Sequence, residues 1–371
     1  VNFPAENPPV RLEAAGCRTA LGDARATCLA LLAGQRALRR LPVLGPDGGD
    51  EVPLAPVPGR SLTETAPPNW ISTLEALAAE IPSEPWGTAR YPVVVTSSNF
   101  GVGSLYAFRR SQDPRHAAYG TPFATVEFLR ERLGWGANVA VASHACVSAH
   151  LGLLMASRLL GAGLAERALV FSFDFISPFV TGGFHALKIL NAEMPAPYAA
   201  RPTGSIGLGD GAAFAVLGSG GPGFTLAAQS LHNEMHHFTA NSPDGSGFAA
   251  CLAPIAAAAI GRRLWIKGHG TGTLEAGRLE AETAARLFPA APLVSWKGSL
   301  GHTLGSCGLV ELAVAIEALR SGRVPGTVGS TGPCFTDLVA TQPFSGAPYD
   351  GVLLASNAFG GAHAACLLSH D

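Results

Sequence analysis

The stretch VASHACVSAHLGLLMASRLLGAG, Val141 to Gly163, places one cysteine where two patterns meet. Before it, Asn138-Val139-Ala140-Val141-Ala142 alternates valines with small residues, the mark of a short strand. After it, Leu151, Leu154, Met155 and Leu159 recur at helical spacing, and Gly161 and Gly163 supply a stop. Cys146 is therefore expected at a strand-to-helix turn, at or near the helix N-terminus. A free cysteine is most often a small buried hydrophobe. At a helix start, however, unpaired N–H groups and the positive dipole end favour an anion, which would lower the thiol pKa and raise the thiolate fraction. This segment alone leaves both readings open.

The rest of the chain supplies ample material for a large core. Its 371 residues are 47% hydrophobic and 14% charged, and that length suits two domains or one duplicated unit. The formal net charge of −2 argues against a general affinity for nucleic acid or anionic membrane. The seven cysteines, Cys17, Cys28, Cys146, Cys251, Cys307, Cys334 and Cys366, are scattered and form no CxxC pair. Neither a disulfide framework nor a cysteine zinc site is expected, and a reducing cytoplasm fits. No apolar run has transmembrane length and no signal peptide is expected.

Strand-like runs alternate with helical segments, which indicates α/β layering. Strands are expected at Val10–Ala14, Pro92–Ser97, Ala168–Phe173 and Gly211–Gly218, with helices at Ala24–Ala33, Leu74–Ile81 and Thr125–Leu133. Residues 41–70, rich in Pro and Gly, read as a surface excursion. After Gly218-Ser-Gly-Gly-Pro-Gly the pattern begins again. Strands are expected at Phe224–Leu231, Leu264–Ile266, Leu293–Ser295, Gly351–Asn357 and Ala364–Leu368. Helices are expected at Ile255–Ile260, Glu280–Leu287 and Leu309–Leu319. Two similar halves follow, 1–218 carrying Cys146 and 219–371 carrying the later motifs.

Three further motifs carry chemistry-bearing residues. Lys267-Gly-His269-Gly-Thr271-Gly-Thr273 follows a strand, and its glycines allow close backbone approach to a ligand. It lacks the Lys-Ser/Thr of a P-loop and the spacing of a dinucleotide site, so a turn presenting an imidazole and two hydroxyls fits better. Ser295-Trp-Lys297-Gly-Ser-Leu-Gly-His302 opens a long apolar helix. Asn357-Ala-Phe359-Gly360-Gly361 is a tight turn between the last two strands, whose glycines permit positive φ and free N–H groups. Each motif has an ordinary structural reading of its own. His232-Asn-Glu-Met-His236-His237 is not HExxH and lacks companions at zinc spacing, so no metal site is expected.

The order of these pieces, cysteine at a helix start, HGTGT, K-x4-H and a terminal FGG turn, resembles the β-ketoacyl-acyl-carrier-protein synthases of the thiolase superfamily, of the elongating Cys-His-His type. The resemblance spans nearly the whole chain, including Gly16-Cys-Arg-Thr-Ala-Leu-Gly22, Gly182-Gly-Phe184, Gly207-Leu-Gly-Asp-Gly-Ala212 and Glu317-Ala-Leu-Arg-Ser-Gly322. It implies an α/β thiolase-like fold, a duplicated α/β/α/β/α five-layered arrangement. It also implies an acyltransferase that condenses an acyl-cysteine with malonyl-acyl-carrier protein, with loss of CO2.

Residue by residue, the resemblance makes Cys146 the acyl-accepting nucleophile and His269 and His302 the histidines assisting decarboxylation and condensation. Lys297 becomes the active-site lysine, supported by a pairing with Glu280. The backbone N–H groups of Cys146 and Phe359 would form an oxyanion hole, and Thr271 and Thr273 would contact the phosphopantetheine arm. No cofactor or metal is implied. The partners implied are acyl carrier protein and a second ketosynthase-like subunit, in a homodimer or heterodimer, with Arg109, Arg110 and Arg115 as candidate docking residues.

Several positions depart from the family pattern. Gly277 replaces an acidic residue, His144 a small hydroxyl residue, and the segment from Arg201 to Gly209 is short. Asn357 stands where a phenylalanine gates the acyl pocket, so a more polar entrance is expected. These departures suggest a specialised polyketide or polyene pathway rather than housekeeping fatty acid synthesis. The alternative is a chain-length-factor-like partner with little activity of its own, which would ordinarily lack the cysteine. A degradative thiolase would need a second cysteine on a Gly-rich turn, and Cys366 lies in a strand-like run.

Overall fold

The computed structural model describes residues 10–220, 223–237, 239–347 and 349–370. Ten strands of the large sheet are numbered along the chain. They are β1 (Val10–Thr19), β2 (Val93–Thr96), β3 (Val139–Ala142), β4 (Arg167–Asp174), β5 (Gly211–Gly218), β6 (Phe224–Asn233), β7 (Leu264–Lys267), β8 (Leu293–Val294), β9 (Gly351–Ala358) and β10 (Ala362–His370). A two-residue strand, Gly22–Asp23, hangs from β1. Seven helices pack on the sheet: α1 (Ala24–Leu32), α2 (Ile71–Ala78), α3 (Pro122–Arg132), α4 (Ser148–Gly161), α5 (Ser246–Ala258), α6 (Leu274–Leu287) and α7 (Cys307–Ser321).

The strand order is β8-β7-β9-β10-β6-β1-β5-β4-β2-β3. Its two wings repeat one topology. In each wing the first strand runs antiparallel to the fifth and the fifth antiparallel to the fourth, while the second runs parallel to the fourth and to the third. The wings meet through a short antiparallel pairing, Val10–Leu12 of β1 with Phe224–Leu226 of β6.

Side-chain alternation along the strands builds the layers. On β4 and β5, Leu169, Phe171, Phe173, Phe214 and Val216 face an outer core with Trp70, Leu74 and Leu129 of the α2 and α3 layer. Their neighbours Ala168, Val170, Ala213, Ala215 and Leu217 face a middle core containing α4 and α7. On β9 and β10, Val352, Leu354, Cys366 and Leu368 face that same middle core. Leu353, Ala355, Ala365 and Leu367 face a third core under α5 and α6. Helices α4 and α7 touch strands of both wings. The order is thus helix, sheet, helix, sheet, helix, the duplicated thiolase-like arrangement. Strands buried on both faces need apolar residues throughout, which is why they read as continuous runs.

Two glycines set the tight spacing of the middle layer. A Cβ on Gly152 of α4 would lie 2.5 Å from Thr96 Cγ2, and one on Gly308 of α7 would lie 2.7 Å from His150 Cδ2.

Three expectations are corrected. Residues 41–70 are not a surface excursion. The Pro-rich run hides a two-residue alternation in Glu51–Ala55, which pairs with Arg39–Pro42 and with Leu208–Gly209. Val52, Leu54 and Leu62 are buried there against Ile176, Val180 and Leu304. Helix α5 begins at Ser246, well before Ile255. Helix α6 begins at Leu274, so Glu280 sits inside the helix rather than at its start. Part of the expected junction at 219–223 lies outside the described residues. Among the described residues, no helix is long and apolar enough to cross a membrane.

Candidate active site

Third strands of the two wings feed the site. Beyond β3, Ala145 adopts a left-handed φ of +45°, an uncommon conformation for a residue with a Cβ and one that sharpens the turn. Ser148 secures this turn: its Oγ accepts from the His144 N–H at 2.8 Å and donates to the Ala145 carbonyl at 2.7 Å. Cys146 therefore projects just ahead of α4, as the sequence pattern predicts. Beyond β8, the Lys297–Leu300 turn and a 3-10 turn at Leu304–Ser306 lead into α7. The His302 backbone is clasped on both sides, its N–H donating to Gly207 O at 2.7 Å and its carbonyl accepting from Gly209 N–H at 3.0 Å. A Cβ on Gly209 would lie 2.1 Å from Leu300 O, so this clasp requires glycine.

These loops bring the reactive groups together. His302 Nε2 lies 3.0 Å from Cys146 Sγ. The rings of His269 and His302 meet edge to face with centroids 4.9 Å apart. Cys146, His269 and His302 line one cleft with Thr271, Thr273, Asn357 and Phe359, a cavity of about 80 Å³ that opens to solvent. Phe184, Ile189 and Ile206 supply an apolar wall. The hydroxyls of Thr271 and Thr273 are 3.1 Å apart. Phe359 stacks on Phe184 at 5.9 Å.

The ion pairs differ from expectation. Glu280 does not pair with Lys297. From the second turn of α6 its carboxylate points back to the preceding loop, where it accepts from the N–H groups of His269 and Gly270 (2.8 Å to the latter) and from Tyr198 Oη at 3.0 Å. Lys297 instead pairs with Glu311, one turn into α7, at 2.5 Å. Lys267, fully buried at the end of β7, reaches the same carboxylate oxygen at 2.8 Å. Sequence reading missed both Glu311 and Lys267. A glutamate inside the apolar run Leu309–Ile316 was the available signal, because an interior carboxylate needs a cation.

Burial governs the protonation states. It pushes both His269 and His302 well below the ordinary histidine range, and the positive charge of Lys297 pushes the same way. Burial also pushes the Cys146 thiol up, Cys307 adds to this, and Lys297 only partly opposes it. Desolvation thus works against the lowering expected from the helix terminus. For Glu311, the two lysines outweigh burial and hold the carboxyl below its usual range. Burial brings Lys267 down to about 8, against the pull of Glu311. The site therefore holds a neutral thiol beside a neutral imidazole acceptor, next to a buried ionic cluster.

Other singled-out residues fall outside this constellation. His144 Nε2 bonds Asn233 Oδ1 at 2.9 Å, a structural tie between the Cys146 turn and the end of β6. Gly277 faces Phe335 and Tyr198, at ordinary van der Waals distance from the place a Cβ would take. Arg110 and Arg115 pair with Asp47 and Asp113, leaving Arg109 exposed on the same surface. The ligand atoms of Cys146, His269 and His302 lie within 4.8 Å of one another, a sulfur and imidazole set that suits zinc. Among the described residues, His232, His236 and His237 form no such group.

Comparison with known proteins matches residues 224–331 to the model of the β-ketoacyl synthase C-terminal domain. The chloroplastic 3-oxoacyl-[acyl-carrier-protein] synthase II of Arabidopsis thaliana is 30% identical over 237 residues, 57% of this chain and 44% of the relative. The tetracenomycin polyketide synthase ketoacyl synthase alpha subunit of Streptomyces glaucescens is 28% identical over 277 residues, 67% of this chain and 64% of the relative. The chain thus spans roughly half to two thirds of these relatives. A chain of the Xenorhabdus doucetiae complex of a ketosynthase with its chain length factor superposes over 100% of its own length and 100% of this chain, with a TM-score of 0.80 at 20% identity, a likeness of fold. Taken with the fold and the clustered cysteine and two histidines, these likenesses make the chain similar to β-ketoacyl synthases, with residues 224–331 matching their C-terminal domain.

Proposed function

We propose that the protein is a condensing acyltransferase, a β-ketoacyl-acyl-carrier-protein synthase acting in specialised polyketide or polyene synthesis. The observation that carries this reading is the 3.0 Å approach of His302 Nε2 to Cys146 Sγ, with His269 set against His302 on the same cleft.

In the first half-reaction, His302 Nε2 takes the thiol proton as Cys146 Sγ attacks an acyl thioester. The new C–S bond forms at Cys146, the bond to the carrier thiol breaks, and the proton leaves with that thiol. Because the free thiol is neutral, transfer to His302 accompanies attack rather than preceding it. In the second half-reaction, malonyl thioester loses CO2 and the bonding pair becomes an enolate. Once Cys146 is acylated, His302 gives up its Nδ1 proton to solvent and takes one on Nε2, the other neutral tautomer, so His269 and His302 can each present an N–H to the enolate oxygen. The enolate carbon attacks the acyl-cysteine carbonyl, whose oxygen is met by the backbone N–H groups of Cys146 and Phe359. The C–S bond then breaks and the thiolate recovers a proton.

Lys297, bound to Glu311, holds positive potential beside the imidazoles, while Glu280 positions the His269 loop. Thr271 and Thr273 would guide the phosphopantetheine arm. These steps need no resident cofactor or metal. The partners are acyl carrier protein, approaching over the Arg109 surface, and a second ketosynthase-like subunit. The seven free cysteines support a cytoplasmic setting.

Intact-mass analysis after exposure to acyl-carrier protein tests this. The expected result is a mass gain equal to the acyl group, absent in Cys146→Ala and retained in Cys307→Ala. No gain with any carrier-protein or coenzyme A thioester would favour a silent partner subunit instead.

A further inference from the structure

The mechanism uses no atom of Asn357, yet this side chain lines the cleft beside Cys146 and Phe359. It closes β9 and lies directly across from His363 of β10. His363 is fully buried, and its Nδ1 sits 2.8 Å from Asn357 Oδ1. An amide oxygen can only accept, so His363 donates Nδ1–H. The far side of the imidazole faces Glu234, 3.6 Å from Nε2. Glu234 is itself anchored: its Oε1 accepts from Ser242 N–H at 2.7 Å, and its backbone N–H donates to Gly361 O at 2.9 Å. Packing locks the imidazole as well, with the Phe248 ring 5.8 Å away.

Glu234, His363 and Asn357 thus form a line of polar groups ending at the cleft. Within this line the hydrogen bond is the one from His363 Nδ1–H to Asn357 Oδ1, and it fixes the amide plane. With Oδ1 held by His363, both hydrogens of Nδ2 are left for the cleft, and among the described residues no acceptor meets them. Thr239 and Asn241 also line the cleft, so its wall carries polar groups besides the apolar Phe184, Ile189 and Ile206. A fixed, buried donor discriminates strongly, because a ligand lacking the matching acceptor strands it without a partner.

From this line of groups, we propose that Asn357 is a specificity-determining residue that donates a hydrogen bond to an oxygen on the acyl chain carried by Cys146, so that the protein selects acyl groups oxygenated near the thioester over saturated ones. This rests on the condensing role proposed above and assigns its substrate class.

The test compares acetoacetyl and butyryl pantetheine thioesters, which share chain length and differ in one oxygen. The rate of mass gain at Cys146 is measured for each, and the ratio of the two rates is compared between the wild type and the variants. Intrinsic reactivity cancels in that comparison. Asn357→Leu is expected to lower the acetoacetyl-to-butyryl ratio about tenfold, chiefly by slowing acetoacetyl transfer. Asn357→Asp, of the same shape but without a donor, is expected to lower it as well. His363→Leu, which releases the amide plane, is expected to lower it by less. An unchanged ratio in both Asn357 variants, or an equal fall of both rates, would overturn the proposal and leave Asn357 a structural residue. No labelling of the wild type by either thioester would instead overturn the condensing role, and this inference with it.

Discussion

The two wings of the sheet share one topology and have divided the labour of one site. In the N-terminal wing, the loop beyond its second strand is locked in place. Asp174, at the end of β4, accepts from Ser97 Oγ at 2.7 Å and from the backbone N–H groups of Ser98 and Asn99. The matching loop of the C-terminal wing, beyond β7, is held by one carboxylate, Glu280, through the His269 and Gly270 N–H groups. There the loop presents an imidazole and two hydroxyls to the cleft. The loops beyond the third strands differ likewise: one delivers Cys146, the other Lys297 and His302. Duplication placed equivalent loops at one spot. In the reaction proposed above, the side chains they carry make one half the acyl acceptor and the other the source of proton acceptors and donors.

Mutations in matched loops can break or sharpen that division. The largest effect is expected at the imidazoles. His269→Ala or His302→Ala should slow condensation by about 10²–10³-fold. Ser98→Ala, in the matched N-terminal loop, should leave the rate within a few-fold. Equal losses in both loops, measured by product formation from malonyl-carrier protein, would dissolve the proposed division.

Next in size is the ionic cluster. Lys297→Met removes the cation nearest the imidazoles but leaves Lys267 to pair with Glu311. The fold should therefore survive while the rate falls about 10–100-fold. A loss of folding, read by thermal melting, would mean that Lys267 cannot hold Glu311 alone.

Zinc gives a reversible counterpart. The sulfur and two imidazoles within 4.8 Å should capture added Zn2+, blocking acylation of Cys146 until a chelator is added. Persistent acylation at saturating zinc would show that the three ligand atoms cannot converge.

The smallest effect concerns acid stability. His150 lies one turn into α4, fully enclosed, with neither ring nitrogen partnered among the described residues. Burial brings its pKa down from 6.5 to about 4. The folded state then stays neutral between pH 6.5 and 4 while the unfolded state takes up a proton, so stability falls as pH drops through that window. His269 and His302 add to the same slope. His150→Leu should flatten the fall in melting temperature between pH 6.5 and 4 by a few degrees. An identical slope in the variant would mean that His150 is already charged in the fold.

Much of this was legible in sequence. The strand runs, the cysteine ahead of a helix, HGTGT, K-x4-H and the FGG turn all rest on neighbours within one element, where periodicity and turn chemistry decide. The hidden strand at Glu51–Ala55 escaped because prolines mask a two-residue alternation. The start of α5 escaped because its first two turns, Ser246-Gly-Phe-Ala-Ala-Cys-Leu, are mostly small residues whose periodicity is weak.

By itself the sequence determined the order of elements, the repeat of the two halves and the residue types brought to the site. Tertiary structure alone decided which charges meet. Glu311 rather than Glu280 pairs with Lys297, Lys267 joins it in the core, and burial raises the Cys146 thiol although a helix begins just beyond it. It also decided that His363 turns the Asn357 amide toward the cleft. The reason is physical: element type follows from spacing along a few residues, whereas hydrogen bonds and desolvation are settled within about 3 Å, between groups the chain carries far apart.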